Sequence, residues 1–352
     1  KNRKCIQDGR GWFTPMSFSS EPRAIREGYV NCDVFLSTIT PPDSNGYCCF
    51  GISVDISRAC LETARTKIGL VNPNMPRTCG DTLVHVSEFD WFVEADVPLY
   101  ELAKIDDSDP VIEQIGQNIA DLIEDGSVLQ MGQGKIPNAI LKCLKDKKDL
   151  GIHTEVFSDN LIPLIETGVI TGARKTLHNR KIVATFIQGT KELYHYVNNN
   201  NMIELKPVDY VNDAGNIAKN DNMVAINAAI EVDLMGQVAA DVIGPKQFSG
   251  VGGQLDFLRG AAAAKNGKPI VTLPSTAKNG TVSRIAAVLK YGTPVTTSRN
   301  DVHYIVTEYG AANLFGKTIK QRAEALIGIA HPKFRDQLKE AFKEYCKLMG
   351  EI

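Results

Sequence analysis

Apolar and polar positions along this chain follow two periods, and the switches between them lay out its elements. The clearest run lies between Gly126 and Gly172. Ser127–Met131 is a short apolar stretch that predicts a buried strand, and Gly132-Gln133-Gly134 breaks it. Pro137 then opens a helix carrying Ile140, Leu141 and Leu144, since proline is tolerated in a first turn whose N–H groups lack partners. Ile152–Phe157 alternates and holds β-branched and aromatic residues, which predicts a second strand. Ser158 and Asp159 are N-cap candidates for a short helix closed by Gly168. Two strands joined by a crossover helix lie parallel, with their C-terminal ends on one edge. Open α/β sheets bind ligands at that edge. Gln130, the Gly132 backbone and Glu155 are therefore expected to meet in one crevice.

The same reading extends to both ends. Before residue 105 it predicts a short helix at Glu21–Glu27, a strand at Val34–Thr38, a helix at Ser57–Thr66 and a strand at Ile68–Val71, with turns at Pro41–Gly46 and Asn72–Pro76. Asp106–Pro110 is a polar break and the expected domain boundary, with Asp109 capping the next helix and Pro110 at its first position. Ile112, Ile115, Ile119, Leu122 and Ile123 recur at helical spacing. Further strands are expected at Lys181–Gln188, Met223–Asp233, Lys268–Leu273, Thr293–Thr297 and His303–Thr307, with Tyr194–Asn201 a polar excursion. Gly250–Gly253 feeds a helix from about Asp256 to Lys265, and helices over Thr318–Ile329 and Pro332–Met349 close the chain.

Composition narrows the class. The 352 residues suffice for two domains, and 43% hydrophobic with 23% charged residues is ordinary for a soluble globular protein. A net charge of -2 offers no electrostatic case for nucleic acid or an anionic membrane. No apolar run approaches the ~20 residues of a membrane span. The eight cysteines lack C-x-x-C and zinc spacing, so reduced thiols in a cytoplasmic protein are expected, with no metal site.

Candidate chemistry is sparse. Gly250-Val251-Gly252-Gly253-Gln254-Leu255 resembles a dinucleotide fingerprint but ends on leucine, without the acidic ribose partner, and Gly310–Thr318 is one residue too long for a P-loop. Six histidines are scattered, and no G-x-S-x-G elbow occurs. What remains is one carboxylate, Glu155, at an expected strand end beside glycine turns. From chemistry alone it is either a reacting group or a capping or salt-bridged structural carboxylate. Glu231 is a second strand carboxylate, placed more like core than strand end. His153, two residues before Glu155, either orients it or packs.

Several blocks now carry a resemblance: PPDSNGYCCFGISVD, VNPNMPRTCGDTLVHVSEFDWFVEAD, DGSVLQMGQGKIPNAIL, HTEVFSDNLIPLIETGVITG, VDYVNDAGNIAKNDNMVAINAAIEVDLMGQV, SGVGGQLDFLRGA, AKNGTVSRI and VTTSRNDVHYIVTEYGAANLFGK. In this order the chain resembles the acetyl-CoA hydrolase/transferase family, among CoA-transferases with a glutamate nucleophile, closest to the 4-hydroxybutyrate and butyrate/acetate branch. The resemblance implies two tandem, related open α/β domains with mainly parallel sheets, at 1–108 and 109–352, and a cleft site between them. It also implies that the first strands of the N-terminal domain lie upstream of Lys1. Glu155 in HTEVFSD matches the nucleophile. Gln130, Gly132, Gly252 and Gly253 match oxyanion and thioester contacts. Asn212, Met131, Gly250 and Lys278 match CoA or acyl contacts, and Ser283 and Arg299 sit in matching loops. Cys79 stands where the family usually has histidine. The implied activity is ping-pong CoA transfer between an acyl-CoA and a short-chain carboxylate such as acetate, butyrate or 4-hydroxybutyrate. Coenzyme A is then a substrate, with no tightly bound cofactor, and the assembly is a homodimer or larger. An acetyl-CoA hydrolase and a non-catalytic CoA-binding protein on this scaffold are the alternatives.

Overall fold

The structure, a computed structural model, describes residues 3–102 and 109–350. Near the N-terminus three strands, β1 (Val34–Ile39), β2 (Thr66–Val71) and β3 (Trp91–Glu94), form a parallel sheet in that order. The registers Leu36↔Ile68 and Ile68↔Trp91 put alternate residues of all three strands on one face. On that face Val34, Leu36, Trp91 and Val93 are exposed. The helix Ser57–Thr63 buries Ala59, Cys60 and Leu61, and the next strand begins already at Thr66.

The second half is built on helix α1 (Pro110–Ala120), strand β4 (Val128–Met131), helix α2 (Lys135–Lys142) and strand β5 (Gly151–Ile152). Asp109 caps α1 by accepting from the Val111 N–H at 3.0 Å. The Asp106–Ser108 part of the expected boundary lies outside the described residues. Ile112, Ile115 and Ile119 face inward as their spacing requires. The strand–helix–strand unit forms as read, with β4 and β5 parallel in the register Leu129↔Ile152.

The expected strand at 152–157 is interrupted. β5 ends at Ile152, and the chain resumes as β6 (Val156–Phe157) in a different sheet. The expected strand at 181–188 is interrupted at the matching place, giving β7 (Ile182–Ala184) and β8 (Phe186–Ile187), with β8 parallel to β6. Hydrogen bonds carry the chain across the break. The His153 N–H donates to Leu129 O at 3.1 Å, and the Thr154 N–H to Val183 O at 3.0 Å. Thr185 and Phe186 N–H both donate to Glu155 O, at 2.9 and 3.0 Å. A break in a sheet is tolerated only when the backbone groups it frees are paired again.

Strand β9 (Met223–Ala228), helix α3 (Gln254–Ala263) and strands β10 (Lys268–Thr272), β11 (Tyr304–Thr307) and β12 (Gly310–Asn313) complete the main sheet. Its order is β12-β11-β10-β9-β4-β5, all parallel except the β11–β12 hairpin. The chain is thus mixed α/β with mainly parallel sheets. The expected strand at 223–233 is two pieces, since Glu231–Asp233 joins another sheet. Thr293–Thr297 is no strand. Thr296 and Thr297 N–H donate to Val238 O at 2.8 and 3.1 Å, an isolated bridge instead of a ladder. Tyr194–Asn201 is no plain excursion either. Lys191–Val197 is helical, capped by Thr190, and the burial of Leu193, Tyr194 and Val197 outweighs its polar remainder.

Residues on both sides of the expected boundary share structure. Cys79–Gly80 pairs with Ile203–Leu205, which pairs with β7. Phe35 and Phe50 belong to the same hydrophobic core as Ile115, Leu129 and Phe157. No helix among the described residues is long and apolar enough to cross a membrane.

Gly116 lets α1 approach α2, because a Cβ there would lie 2.8 Å from the Ala139 carbonyl carbon. Gly116→Ala is expected to destabilise the protein by about 1–3 kcal/mol, as overpacking typically does, read as a lower urea midpoint at unchanged slope.

Candidate active site

Glu155 lies in the break between β5 and β6, deep among protein atoms yet with part of its surface open to solvent. Two donors hold the carboxylate. Asn212 Nδ2 donates to Oε1 at 2.6 Å, and the Gly253 backbone N–H faces the same carboxylate and lowers its pKa. Gly253 is the N-cap of α3, so the carboxylate sits where a helix presents free N–H groups and the positive end of its dipole. Gly253 itself is required by space. A Cβ there would lie 2.1 Å from both Glu155 Oε1 and Asn212 Nδ2. Its neighbour Gly252 takes φ +64°, a left-handed turn that suits glycine.

Electrostatics oppose ionisation here. Burial pushes the Glu155 carboxyl up, the Asn212 bond pulls it down, the Asp256 charge raises it, the Gly253 N–H lowers it and Glu21 raises it again, leaving a pKa of about 7. Burial likewise raises Asp256, and burial with the nearby Asp55 charge raises Glu21.

His153 does not touch the Glu155 carboxylate. It is fully buried, its Nε2 lies 2.8 Å from Val211 O, and burial lowers its pKa to about 3, so the ring is neutral and donates to that carbonyl. This bond fixes the Val208–Val211 turn that presents Asn212. Lys175, which the sequence reading passed over, is buried under β5 and donates to Ile152 O and Lys181 O, both at 2.8 Å. Burial lowers its pKa to about 7. It thereby ties the end of β5 to the start of β7.

The other expected residues divide. Gln130 is buried at the end of β4 and engages β9: Oε1 accepts from Ile226 N–H at 3.1 Å and from Asn227 Nδ2 at 3.0 Å. Met131 is buried, and its N–H meets Thr154 Oγ1 at 3.4 Å. Gly132 is exposed and borders a small gap with Thr154 and Val156, the residues flanking Glu155. Gly250 is exposed, four residues from Gln254 at the start of α3. Lys278 is exposed at the tip of the hairpin joining Thr276–Ala277 to Val282–Ser283. Arg299 is exposed, with Nη1 3.9 Å from Met235 Sδ. Cys79 Sγ faces Asn201 Oδ1 at 3.3 Å. Glu231, half-buried on its own strand, is raised chiefly by burial. Two residues beside Glu155, Asp256 and Glu21, escaped the sequence reading as site residues, as did Ser19, which bonds Asp256. Asp256 is in the first turn of α3, which reads as ordinary helix-start chemistry.

Comparison with known proteins gives the frame for this geometry. Residues 1–101 match the acetyl-CoA hydrolase/transferase N-terminal domain and residues 189–342 the C-terminal domain of the same family. The chain belongs to the acetyl-CoA hydrolase/transferase family. It is 53% identical over 344 residues to the 4-hydroxybutyrate coenzyme A transferase of Clostridium kluyveri, covering 97% of this chain and 80% of the relative. It is 43% identical to the butyryl-CoA:acetate CoA-transferase of Anaerostipes caccae, covering 97% and 78%. Among solved structures, the 4-hydroxybutyrate CoA-transferase of Porphyromonas gingivalis matches with a TM-score of 0.84 and 45% identity, over 93% of this chain and 79% of that one. RipA of Yersinia pestis matches with a TM-score of 0.90 and 44% identity, over 99% and 79%. Glu155 lies between the two matched stretches, in 102–188.

Holding an anionic Glu155 costs stability. Its folded pKa of about 7 exceeds the ordinary 4.5. The penalty is therefore absent below pH 4.5 and complete above pH 7. Glu155→Gln is expected to be more stable than the parent by about 2 kcal/mol at pH 8, allowing for partial solvent contact. Urea unfolding at pH 8 and pH 4 checks the sign, since the gain should vanish at pH 4.

Proposed function

We propose that this protein is an acyl-CoA:carboxylate CoA-transferase acting on short-chain acids such as acetate, butyrate or 4-hydroxybutyrate, with Glu155 as nucleophile. One observation carries the assignment: a shielded carboxylate in a sheet break, held by the Asn212 amide against the glycine turn that starts α3. Its pKa is raised, and a structural carboxylate in a salt bridge would show the opposite shift. Membership of the family and the transferase names of its relatives support the same reading.

A Glu155 oxygen attacks the thioester carbonyl carbon of acyl-CoA. The C–S bond breaks, CoA leaves as thiolate, and Glu155 carries the acyl group as a mixed anhydride. The thiolate then attacks the Glu155 side-chain carbonyl, expels the first acid as its carboxylate and leaves a glutamyl-CoA thioester. A second carboxylate enters by the reverse steps and departs as the new acyl-CoA. Every intermediate stays activated, so CoA moves without ATP. Each tetrahedral intermediate carries an oxyanion, and one pre-aimed donor is typically worth about 2.7–4 kcal/mol of barrier. Asn212 Nδ2 and the Gly253 N–H are the donors nearest the reacting carboxylate, with Gln130, Gly132 and Gly252 assigned to the approaching thioester. Met131, Gly250 and Lys278 are assigned to CoA. A homodimer or larger assembly in the cytoplasm completes the reading, in keeping with the free cysteines among the described residues.

Acetyl-CoA offered with butyrate, propionate and 4-hydroxybutyrate should yield new acyl-CoA only when an acceptor is present. Free CoA without acceptor would instead mark an acetyl-CoA hydrolase, the name carried by a Yarrowia lipolytica relative at 30% identity over 60% of this chain. Silence with every pair would mark a CoA-binding protein. Borohydride added after acyl-CoA should inactivate the enzyme by reducing the glutamyl thioester. Glu155→Gln should lose transfer by about 1,000-fold or more and show no such trapping. Because attack needs the ionised form, kcat/KM should fall as pH drops through about 7.

Gly253→Ala should displace the carboxylate from its donors and lower kcat by about 100-fold, a loss typical of misplaced reacting groups. Steady-state assay beside a thermal melt separates this from unfolding.

A further inference from the structure

Asn212 serves two carboxylates with one amide nitrogen. Its Nδ2 lies 2.6 Å from Glu155 Oε1 and 3.5 Å from Asp256 Oδ2, while its buried Oδ1 has no hydrogen-bond partner. An amide NH2 has two hydrogens and its oxygen only accepts. With Oδ1 idle, nothing on the oxygen side selects between the two flipped orientations of the amide. The selection comes from the nitrogen side, because a flip would aim Oδ1 at both carboxylates.

During turnover that selection weakens. Glu155 is anionic only in the resting enzyme, and as anhydride or thioester it is neutral. Asp256 takes no part in the covalent chemistry, so its Oδ2 remains an acceptor for Asn212 throughout. It is itself clamped: Ser19 Oγ donates to Oδ1 at 2.9 Å and the Ser19 N–H to Oδ2 at 3.2 Å. The Phe18 N–H donates to Gly252 O at 3.1 Å, seating the same segment on the glycine turn beside the site.

We propose that Asp256, locked by Ser19, is a positioning residue that keeps the Asn212 amide nitrogen aimed at Glu155 through the neutral covalent stages of transfer. This rests on Glu155 being the nucleophile. One hydrogen of Nδ2 then stays on Asp256 while the other follows the reacting carbonyl oxygen. The segment Phe18–Ser20 thereby couples its own seating to the donor of the site. Other charges face the pair. Glu21, in the helix Glu21–Arg26, acts on Glu155, and Asp55 acts on Glu21. Arg259, one turn along α3, acts on Asp256 while held by Asp301 at 2.9 Å.

Asp256→Asn tests this by pH-dependent kinetics. The expected result is a fall in kcat of about 10–100-fold with the KM for acyl-CoA changed less than about threefold. The acid limb of kcat/KM should also move to lower pH, because removing a negative charge beside the free Glu155 lowers its pKa. Asp256→Glu should recover part of kcat and return the limb towards the parent. Parental kcat and limb in Asp256→Asn would overturn the proposal, as would a loss of kcat with an unmoved limb. Should Asp256→Asn fail to fold in a thermal melt, Ser19→Ala decides, with a loss of about 2–5-fold expected and no loss overturning the proposal. Glu155→Gln run alongside separates the two claims. If that variant keeps its activity, the nucleophile assignment falls. If it is inactive while Asp256→Asn behaves as the parent, only the role of Asp256 falls.

Discussion

On the proposed mechanism, a carboxylate that must be both shielded and ionised is the constraint on which this structure turns. In that mechanism shielding keeps water from an anhydride, while burial makes the charge of Glu155 costly and the neighbouring Asp256 and Glu21 charges add to that cost. Among the described residues, two short-range donors counter it, the Asn212 amide and the Gly253 N–H. Neither is a full positive charge. A buried Arg or Lys partner would hold the anion more firmly and make it a poorer nucleophile, because an ion pair stabilises the carboxylate before attack. The balance leaves Glu155 near neutrality, where a modest change in its donors changes how much of it can react.

Much of the surrounding architecture serves to hold those donors. Strand β5 leaves the main sheet just before Glu155, and the matching break between β7 and β8 turns two N–H groups onto the Glu155 carbonyl. Lys175 ties the ends of β5 and β7 through two carbonyls, and His153 anchors the turn before Asn212. These are buried titratable groups used as neutral or nearly neutral hydrogen-bond donors. Their perturbed pKa values reflect burial at structural posts rather than chemistry, a reminder that such shifts mark candidate sites without assigning roles. The same region draws on the far N-terminal sequence. Ser19 reaches Asp256, and Phe18 reaches Gly252.

The exposed apolar face of the β1–β2–β3 sheet stands apart from this arrangement. Parallel sheets normally carry cover on both faces, and here Leu36, Trp91 and Val93 are open on one. The 352 residues span about four-fifths of the relatives they match. The catalytic reading rests on β4 to β8, α3 and the Phe18–Glu21 segment.

Local pattern alone determined a good deal. Periodicity gave the α1 stripe of Ile112, Ile115 and Ile119 and the parallel β4–α2–β5 crossover, because burial imposes its period directly on residue choice, while the mainly parallel class of the sheets came with the resemblance. Resemblance across ordered blocks singled out Glu155, Asn212 and the Gly252–Gly253 turn. Tertiary structure decided what period cannot encode. An unbroken alternation at 152–157 concealed a change of sheet, since β5 and β6 both demand apolar residues whichever partner they pair with. Leu193, Tyr194 and Val197 make a helix inside a segment whose polar residues masked it. His153 turned to Val211 instead of Glu155, and Gln130 to β9, because hydrogen-bond direction depends on which backbone arrives nearby. Ser19 and Asp256 are 237 residues apart and meet only once the fold is closed. A contact of that separation leaves no local signature, for neither residue differs in type from an ordinary loop serine or helix-start aspartate.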